Sequence, residues 1–453
     1  MTITNNINPH IFREYDIRGI QDKDLNPDIA YTIGRSFGTI LKNLNQTQTV
    51  VGYDNRSTSP AYATSYIQGI LDCGINVYNL GLVTTPMYYF SWSYLGVSSG
   101  TMITASHNPK EYNGFKVSFN GIHNACGKEV TQLYTVIQNG KFSDDQGSVE
   151  QKNIKNAYLD FLTESIHLGN RKPKIVVDCG NGTPSIIIRD VFKKLGIEFI
   201  PLFCDSDPTF PNHTPDPSVN EYMVQLQAKV KAEQADLGIG LDGDGDRVGF
   251  VDEQGNLIHS DYFLIIVARN ILPKLEDKRV LYDIKCTKSL EDEIKKLGGI
   301  PIQNRTGNSY LRKRVAEDNI PLGGEYSGHV CFNDKFPGYD DGIYAGLRMI
   351  EILSHTDKTM SQLLDGITHY ESTPELIIHT DEDKKQQVVE KVKKYCEQKQ
   401  YSIITLDGVK AIFDDGFALV RASNTGPNIS ARFEATTKQR VEELQTEFLT
   451  LIQ

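Results

Sequence analysis

Short apolar runs that end in an acidic residue recur along the chain, one domain length apart. Val50-Val51-Gly52-Tyr53-Asp54 reads as a buried strand, followed by a polar loop, a helical stretch and a second apolar run, Cys73-Gly74-Ile75-Asn76-Val77. Lys174-Ile175-Val176-Val177-Asp178 starts a second copy, with Gly196 before the apolar run at 197–202. Arg279-Val280-Leu281-Tyr282-Asp283 starts a third, with Gly298-Gly299 before Ile300-Pro301-Ile302. A strand, a helix that stops at glycine and a further strand make the βαβ unit of a parallel sheet. The pattern predicts three similar mixed α/β domains.

The last stretch has a different rhythm. Val388, Val389, Val392, Tyr395 and Cys396 form one helical stripe, and Val441, Leu444, Phe448 and Ile452 another. Strand-like runs at 408–413, 416–422 and 429–434 lie between them, the first two joined by the turn Asp414-Asp415-Gly416. A smaller α+β domain is expected there. The expected partition is 1–150, 151–255, 256–370 and 371–453.

Composition narrows the class. The 453 residues carry 47 basic and 58 acidic side chains, a net charge of −11, with 39% hydrophobic residues. That is a globular profile large enough to bury its own core, and one that makes nucleic acid a poor partner. Residues 1–10 lack the apolar core of a signal peptide, and the longest apolar segment, 262–272, is broken by Arg269 and Asn270 and is too short for a bilayer. Seven cysteines without a CxxC pair suit a reducing compartment. A cytoplasmic protein, with no membrane partner and acting as a monomer, is the expectation.

Each copy carries a second polar loop where a strand ends, the place at which open α/β sheets bind ligands. The first is Ala105-Ser106-His107-Asn108-Pro109-Lys110, the second Asp242-Gly243-Asp244-Gly245-Asp246-Arg247 and the third Gly324-Glu325-Tyr326-Ser327-Gly328-His329. Three carboxylates spaced only by glycine can turn toward one cation, and hard oxygen donors favour Mg²⁺, Mn²⁺ or Ca²⁺. An EF-hand is the rival, since Glu253 stands at its twelfth position. Arg247 occupies the position where that turn needs Gly, however, and the flanks read as strands. A plain turn with solvated carboxylates would leave three like charges repelling one another.

Ser106 beside His107 makes neither a triad nor a nucleophile elbow. Next to a three-carboxylate site it can instead carry a phosphoryl group whose oxygens complete the coordination. Lys116 is then a proton carrier or phosphate partner rather than a solvated strand lysine. A fourth loop, Arg421-Ala422-Ser423-Asn424-Thr425-Gly426-Pro427, followed by Arg432, offers a guanidinium, hydroxyls and amides to an anion. Arg18 and Lys285 are further candidates. His329 reads either as an acid–base group or as a structural histidine, and Glu325 with Ser327 suits vicinal sugar hydroxyls or a surface turn. The residues taken together point to phosphoryl transfer on a small hydroxylated substrate.

The four loops, in this order and spanning almost the whole chain, resemble the α-D-phosphohexomutase superfamily. The resemblance implies three mixed α/β domains and a smaller C-terminal domain around a central cleft. Ser106 would be the phosphoserine, with Asp242, Asp244 and Asp246 binding Mg²⁺ beside it. Lys116, His329 and Arg247 would join Ser106 in catalysis. Tyr15, Arg18, Lys285, Glu325, Ser327 and His329 would contact the sugar phosphate, and Arg421, Ser423, Asn424, Thr425 and Arg432 would grip the phosphate that does not react. The implied reaction exchanges hexose 1-phosphate and hexose 6-phosphate, of mannose or glucose. It passes through a 1,6-bisphosphate, and glucose or mannose 1,6-bisphosphate would be the activator. Ser423-Asn424-Thr425 followed by Arg432-Phe433-Glu434 looks like the phosphomannomutase/phosphoglucomutase type. Phosphoglucosamine mutases have Ser-Gly-Thr there and Gln at the place of Tyr326. That enzyme, and a non-catalytic sugar-phosphate-binding regulator on the same scaffold, are the alternatives. Tyr326 replaces a common Met, and Asn308 stands where relatives often have His.

Overall fold

The computed structural model describes every residue except Glu382, Asn424, Thr425 and Gln453. The chain forms two compact units, one comprising Met1–Ser260 and Ser327–Leu363, the other Asp261–Tyr326 and Leu364–Gln453. Three mixed α/β domains and a smaller C-terminal α+β domain make up the fold.

In the first unit, the strand Gln48–Tyr53 pairs in parallel with Asn76–Leu82 on one side and Gly100–Ile103 on the other. Tyr112–Ser118 then runs back antiparallel along Gly100–Ile103, and Ile17–Ile20 along Tyr112–Ser118. A second sheet repeats the plan: Ile175–Asp178 lies parallel to Phe199–Leu202 and Leu237–Leu241, and Val248–Val251 returns antiparallel to the latter. The predicted apolar runs are its centre, with Val50, Val51, Val176 and Val177 fully enclosed. The helix Gly342–Ser354 belongs to this unit and lays Gly346 against Ile239 of the second sheet.

In the second unit, Arg279–Asp283 lies between the parallel partners Ile300–Asn304 and Leu322–Gly324. The C-terminal sheet is an antiparallel meander of Ser402–Ile404, Val409–Phe413, Gly416–Ala422 and Asn428–Ala435. The helices Lys385–Gln398 and Lys438–Ile452 bury Val392, Cys396, Leu444 and Phe448 against it.

Two predicted strands begin later than their apolar runs: the one after Gly196 starts at Phe199, and the one after Leu71 at Asn76. Residues 73–75 form the turn after the helix Ser59–Leu71, with a lone bridge from Cys73 to Asp145, and pairing with the strand Gln48–Tyr53 starts at Asn76. Gly74, at φ 78°, takes the left-handed step that ends the helix. Gly196 (φ 66°) and Gly298 (φ 71°) repeat that step in the other two copies, which is why glycine recurs there. Pro201 and Pro301 fall inside strands that the pattern marked correctly, and both strands lie at sheet edges, where a missing N–H is tolerated. Among the described residues no helix is long and apolar enough to cross a membrane, and all seven cysteines are buried free thiols.

A Cβ added at Gly196 would meet nothing within 4 Å, so only backbone strain opposes it. Gly196→Ala is expected to lower stability by about 1–2 kcal/mol, read as an earlier midpoint in urea unfolding followed by circular dichroism. An unchanged midpoint would mean that this turn relaxes out of the left-handed conformation.

Candidate active site

The hairpin between Leu237–Leu241 and Val248–Val251 carries the acidic loop. Asp242 folds it: its Oδ1 accepts from the backbone N–H of Gly245 (2.9 Å) and of Arg247 (3.1 Å), and Gly245 turns at φ 85°. This leaves Asp242 Oδ2 to accept a 2.7 Å hydrogen bond from Ser106 Oγ. The three carboxylates are 0% exposed and offer oxygens that all lie within 4.8 Å of one another.

Such a cluster needs positive charge, and Lys116 supplies it. From the strand Tyr112–Ser118 its Nζ donates to Asp244 Oδ2 (2.7 Å) and Asp246 Oδ2 (2.6 Å). Thr85 Oγ1 adds a 2.6 Å bond to Asp244 and Thr104 Oγ1 a 3.3 Å one. Burial, then the charges of Asp244 and Asp246, push Asp242 well above the usual carboxylate range. Burial and then Asp244 also raise Asp246. In Asp244 burial is outweighed by the charge and hydrogen bond of Lys116, which hold it low. Lys116, despite its own burial, is kept well above the usual amine range by Asp244 and Asp246. One ammonium among three carboxylates leaves an excess of negative charge. Asp244 Oδ1 and Asp246 Oδ1 are buried without a hydrogen-bond partner. Unsatisfied hard oxygens in a dry acidic loop are the donor set of a divalent cation such as Mg²⁺.

Ser106 faces this loop from a left-handed backbone, φ 50°. Its Oγ is also 3.2 Å from His107 Nδ1; burial first, then the surrounding cations led by Arg247, holds that imidazole well below the usual histidine range. Gly243 is what lets the two loops meet, because a Cβ there would stand 2.5 Å from the Ser106 carbonyl oxygen. Arg18 reaches the serine loop too, Nη1 donating to Asn108 Oδ1 and Nη2 to Asp16 Oδ2, both at 2.5 Å. Its Nε is buried without a hydrogen-bond partner. Tyr15 is half-buried in the bend just before.

His329 is paired on both ring nitrogens. Arg247 Nε donates to its Nε2 at 2.9 Å, and Asp340 Oδ2 lies 2.6 Å from Nδ1, which assigns the proton to Nδ1. Asp246 Oδ1 is 3.6 Å from the same Nδ1. Backbone pairing of Val248 N–H with the Gly328 carbonyl (3.1 Å) and of Gly342 N–H with that of Gly245 (3.0 Å) locks the 327–342 segment onto the acidic loop. The helix Gly342–Ser354 thereby starts against that loop, its first N–H on the Gly245 carbonyl. Glu253, the EF-hand's twelfth position, instead accepts from Ser361 N–H and Oγ, away from the cluster.

The remaining candidates form a second group, in the second unit. Lys285 Nζ donates to Glu375 Oε2 (3.0 Å); against burial, that charge and Ser430 pull Glu375 down to about 2. Tyr326 lies beneath two cations, Arg432 at 4.2 Å and Lys285 at 5.6 Å from the ring centroid. Its N–H donates to Asp283 Oδ1 at 3.1 Å, and Glu325 Oε1 accepts from Gly307 N–H at 2.6 Å. Arg432 is buried, with Nη1 on the Lys285 carbonyl, so its charge is turned toward Tyr326. Arg421 is oriented by Asp407 (3.0 Å), and Ser423 N–H bonds the Asn428 carbonyl at 2.9 Å. Asn424 and Thr425 lie outside the described residues. Ser327 is half-buried in the first unit, beside His329 in sequence; the chain passes between units after Tyr326.

Sequence reasoning missed Thr85, Thr104, Arg56 and Asp340. Thr85 lies in no motif, and Thr104 stands at the start of the serine loop without any signal that it reaches Asp244. Asp54, whose carboxylate orients Arg56 (3.1 Å), was visible as the acidic end of the first repeat.

The chain matches four family descriptions in sequence order. Phosphoglucomutase/phosphomannomutase alpha/beta/alpha domains I, II and III cover residues 9–144, 156–255 and 259–370. The C-terminal domain of the same family covers 377–451. It is similar to a phosphomannomutase/phosphoglucomutase of Pseudomonas aeruginosa, 39% identical over 439 residues, 97% of this chain and 94% of that protein. A phosphoglucomutase of Neisseria gonorrhoeae is 40% identical over 98% of this chain and 96% of its own length. The crystal structure of a phosphoglucomutase/phosphomannomutase family protein from Burkholderia thailandensis superimposes with a TM-score of 0.92 at 36% identity, covering 98% of this chain and 97% of that one.

Gly243→Ala forces the Ser106 carbonyl and the acidic loop apart. An overpacked contact of this kind costs about 1–3 kcal/mol. The expected outcome is a lower thermal midpoint together with weaker binding of Mn²⁺. Wild-type values for both would show that the loops tolerate separation.

Proposed function

The chain belongs to the phosphoglucomutase/phosphomannomutase family, and on that premise we propose that it works through a phosphoserine at Ser106 and a hexose 1,6-bisphosphate. As a member it is a hexose-phosphate mutase, an intramolecular phosphotransferase of the isomerase class. The observation that carries the finer reading is Ser106 Oγ, buried and 2.7 Å from Asp242 in a loop of three enclosed carboxylates. A serine needed only for a turn has no reason to face that charge.

In this reading Asp242, Asp244 and Asp246, together with phosphorylated Ser106, would hold Mg²⁺. When bound, the ion supplies positive charge against the oxygens of the transferring group. The bond from phosphorus to Ser106 Oγ breaks as a sugar hydroxyl attacks phosphorus, and the resulting bisphosphate returns its other phosphate to Oγ after turning over. His329 Nε2 takes the proton of the attacking hydroxyl once Arg247 Nε–H releases it, and Asp340 at Nδ1 supports that role by keeping Nδ1 protonated. Lys116 stays protonated between Asp244 and Asp246, so it acts by its charge and as a hydrogen-bond donor. Arg247 and Arg18, the latter with a buried Nε that has no hydrogen-bond partner, would pair with the phosphoryl oxygens.

Tyr15, Lys285, Glu325 and Ser327 are proposed to bind the sugar phosphate, and Arg421, Ser423, Asn424, Thr425 and Arg432 the phosphate that does not react. Arg432 also lies over Tyr326. The four-domain partition at 1–150, 151–255, 256–370 and 371–453 is part of the proposal, and the spans of the family matches support it.

A phosphorus NMR time course with Mg²⁺ and catalytic glucose 1,6-bisphosphate tests this. Mannose 1-phosphate, glucose 1-phosphate and glucosamine 1-phosphate are supplied separately, with Ser106→Ala as control. Mannose and glucose 1-phosphates are expected to become 6-phosphates, a conversion lost in Ser106→Ala. Preference for glucosamine 1-phosphate would move the chain to the phosphoglucosamine type, and turnover by Ser106→Ala would refute the carrier.

A further inference from the structure

One buried arginine spends both terminal nitrogens of its guanidinium on the segment that carries Ser106. Arg56, 2% exposed, follows the strand Gln48–Tyr53. Its Nη1 donates to the carbonyls of Pro109 (2.8 Å) and Tyr112 (3.0 Å), and its Nη2 to those of Ser106 (2.8 Å) and Asn108 (2.6 Å). Nε donates to Asp54 Oδ2 at 3.1 Å, and Asp54 is fixed in turn by the Arg56 N–H (3.0 Å) and Ser59 Oγ (2.5 Å). The guanidinium lies over the Phe210 ring, 5.2 Å from its centroid. Four carbonyls from one loop converge on one planar cation, a demand that a forked guanidinium meets and an ammonium does not.

The loop needs such a clamp. Ser106 holds φ 50°, a conformation that a non-glycine residue keeps only where its surroundings over-determine it. Thr104 Oγ1 accepts from the Ser106 N–H at 2.8 Å, Arg56 takes its carbonyl, and together they fix the peptide units on both sides of Cα. With those units fixed, Oγ points at Asp242.

We propose that the Asp54–Arg56 pair is a positioning device for phosphoryl transfer. It holds Ser106 in its left-handed conformation, and so keeps Oγ in line for the reaction, without touching the substrate. The proposal rests on the reading of Ser106 as phosphoryl carrier. Phosphoryl transfer takes its rate from alignment, so a small drift of Oγ lowers kcat while leaving the sugar contacts alone.

Arg56→Ala, Arg56→Lys, Asp54→Asn and Ser106→Ala are assayed on the full chain with Mg²⁺, glucose 1,6-bisphosphate and glucose 1-phosphate. Arg56→Ala is expected to lose on the order of 100-fold in kcat with KM nearly unchanged, and to regain part of it with added guanidinium ion. Arg56→Lys is expected to stay impaired and to show no such rescue. A folded Arg56→Ala with wild-type kcat, or one that loses kcat and KM together without rescue, would overturn the proposal. Should Arg56→Ala fail to fold, Asp54→Asn decides: a fall of about tenfold or more in kcat at constant KM supports the device, and wild-type kcat overturns it. Turnover by Ser106→Ala would remove the carrier reading and this proposal with it. A dead Ser106→Ala beside a fully active Arg56→Ala would remove the positioning alone.

Discussion

Three carboxylates enclosed in one loop, away from water, are the constraint on which the rest of the first unit depends. Desolvation and mutual repulsion oppose their ionisation, and the surrounding structure answers with positive charge and donors. Lys116 is drawn in from the neighbouring sheet, Thr85 and Thr104 donate to Asp244, and the helix Gly342–Ser354 begins against the loop. Ser106 adds its hydroxyl to Asp242. Each of these comes from a different stretch of sequence, so the charge problem of one turn dictates how two sheets and a helix meet.

The acidic residue that ends the first strand of each repeat has one task in all three copies. Asp54 anchors Arg56 and through it the serine loop. Asp178 accepts from the Gly180 N–H (2.8 Å) and lies 3.0 Å from His213 Nε2. Asp283 accepts from the Tyr326 N–H and from Thr306 Oγ1 (3.3 Å), holding the loop that carries Glu325 and Tyr326. A carboxylate at the carboxyl end of a central strand is well placed to collect the N–H groups of the loops around it. The internal repeat is therefore chemical as well as topological.

Much of this was legible in the sequence. The apolar runs gave the central strands, the glycines after the helices marked left-handed turns, and the three Asp with Ser106 announced the site. What was not legible depends on contacts between distant segments. Residues 73–75 looked like strand because their apolar character serves packing in a turn. Arg56 looked like a loop charge, since its four carbonyl partners lie in a loop about fifty residues on. Asp340 carries no motif, and its meaning appears only once His329 is beside it. The packing of Arg432 over the Tyr326 ring, 4.2 Å from its centroid, joins residues about a hundred positions apart and has no local signal.

The central claim is that the acidic loop facing Ser106 is a divalent-cation site rather than a self-satisfied salt-bridge cluster. Titration of the chain with Mn²⁺, followed by electron paramagnetic resonance and compared with Asp246→Asn, tests it most directly. The account predicts one bound Mn²⁺ per wild-type chain, displaced by Mg²⁺ and largely lost in Asp246→Asn. Absence of binding to the wild type, or equal binding to both proteins, would contradict it.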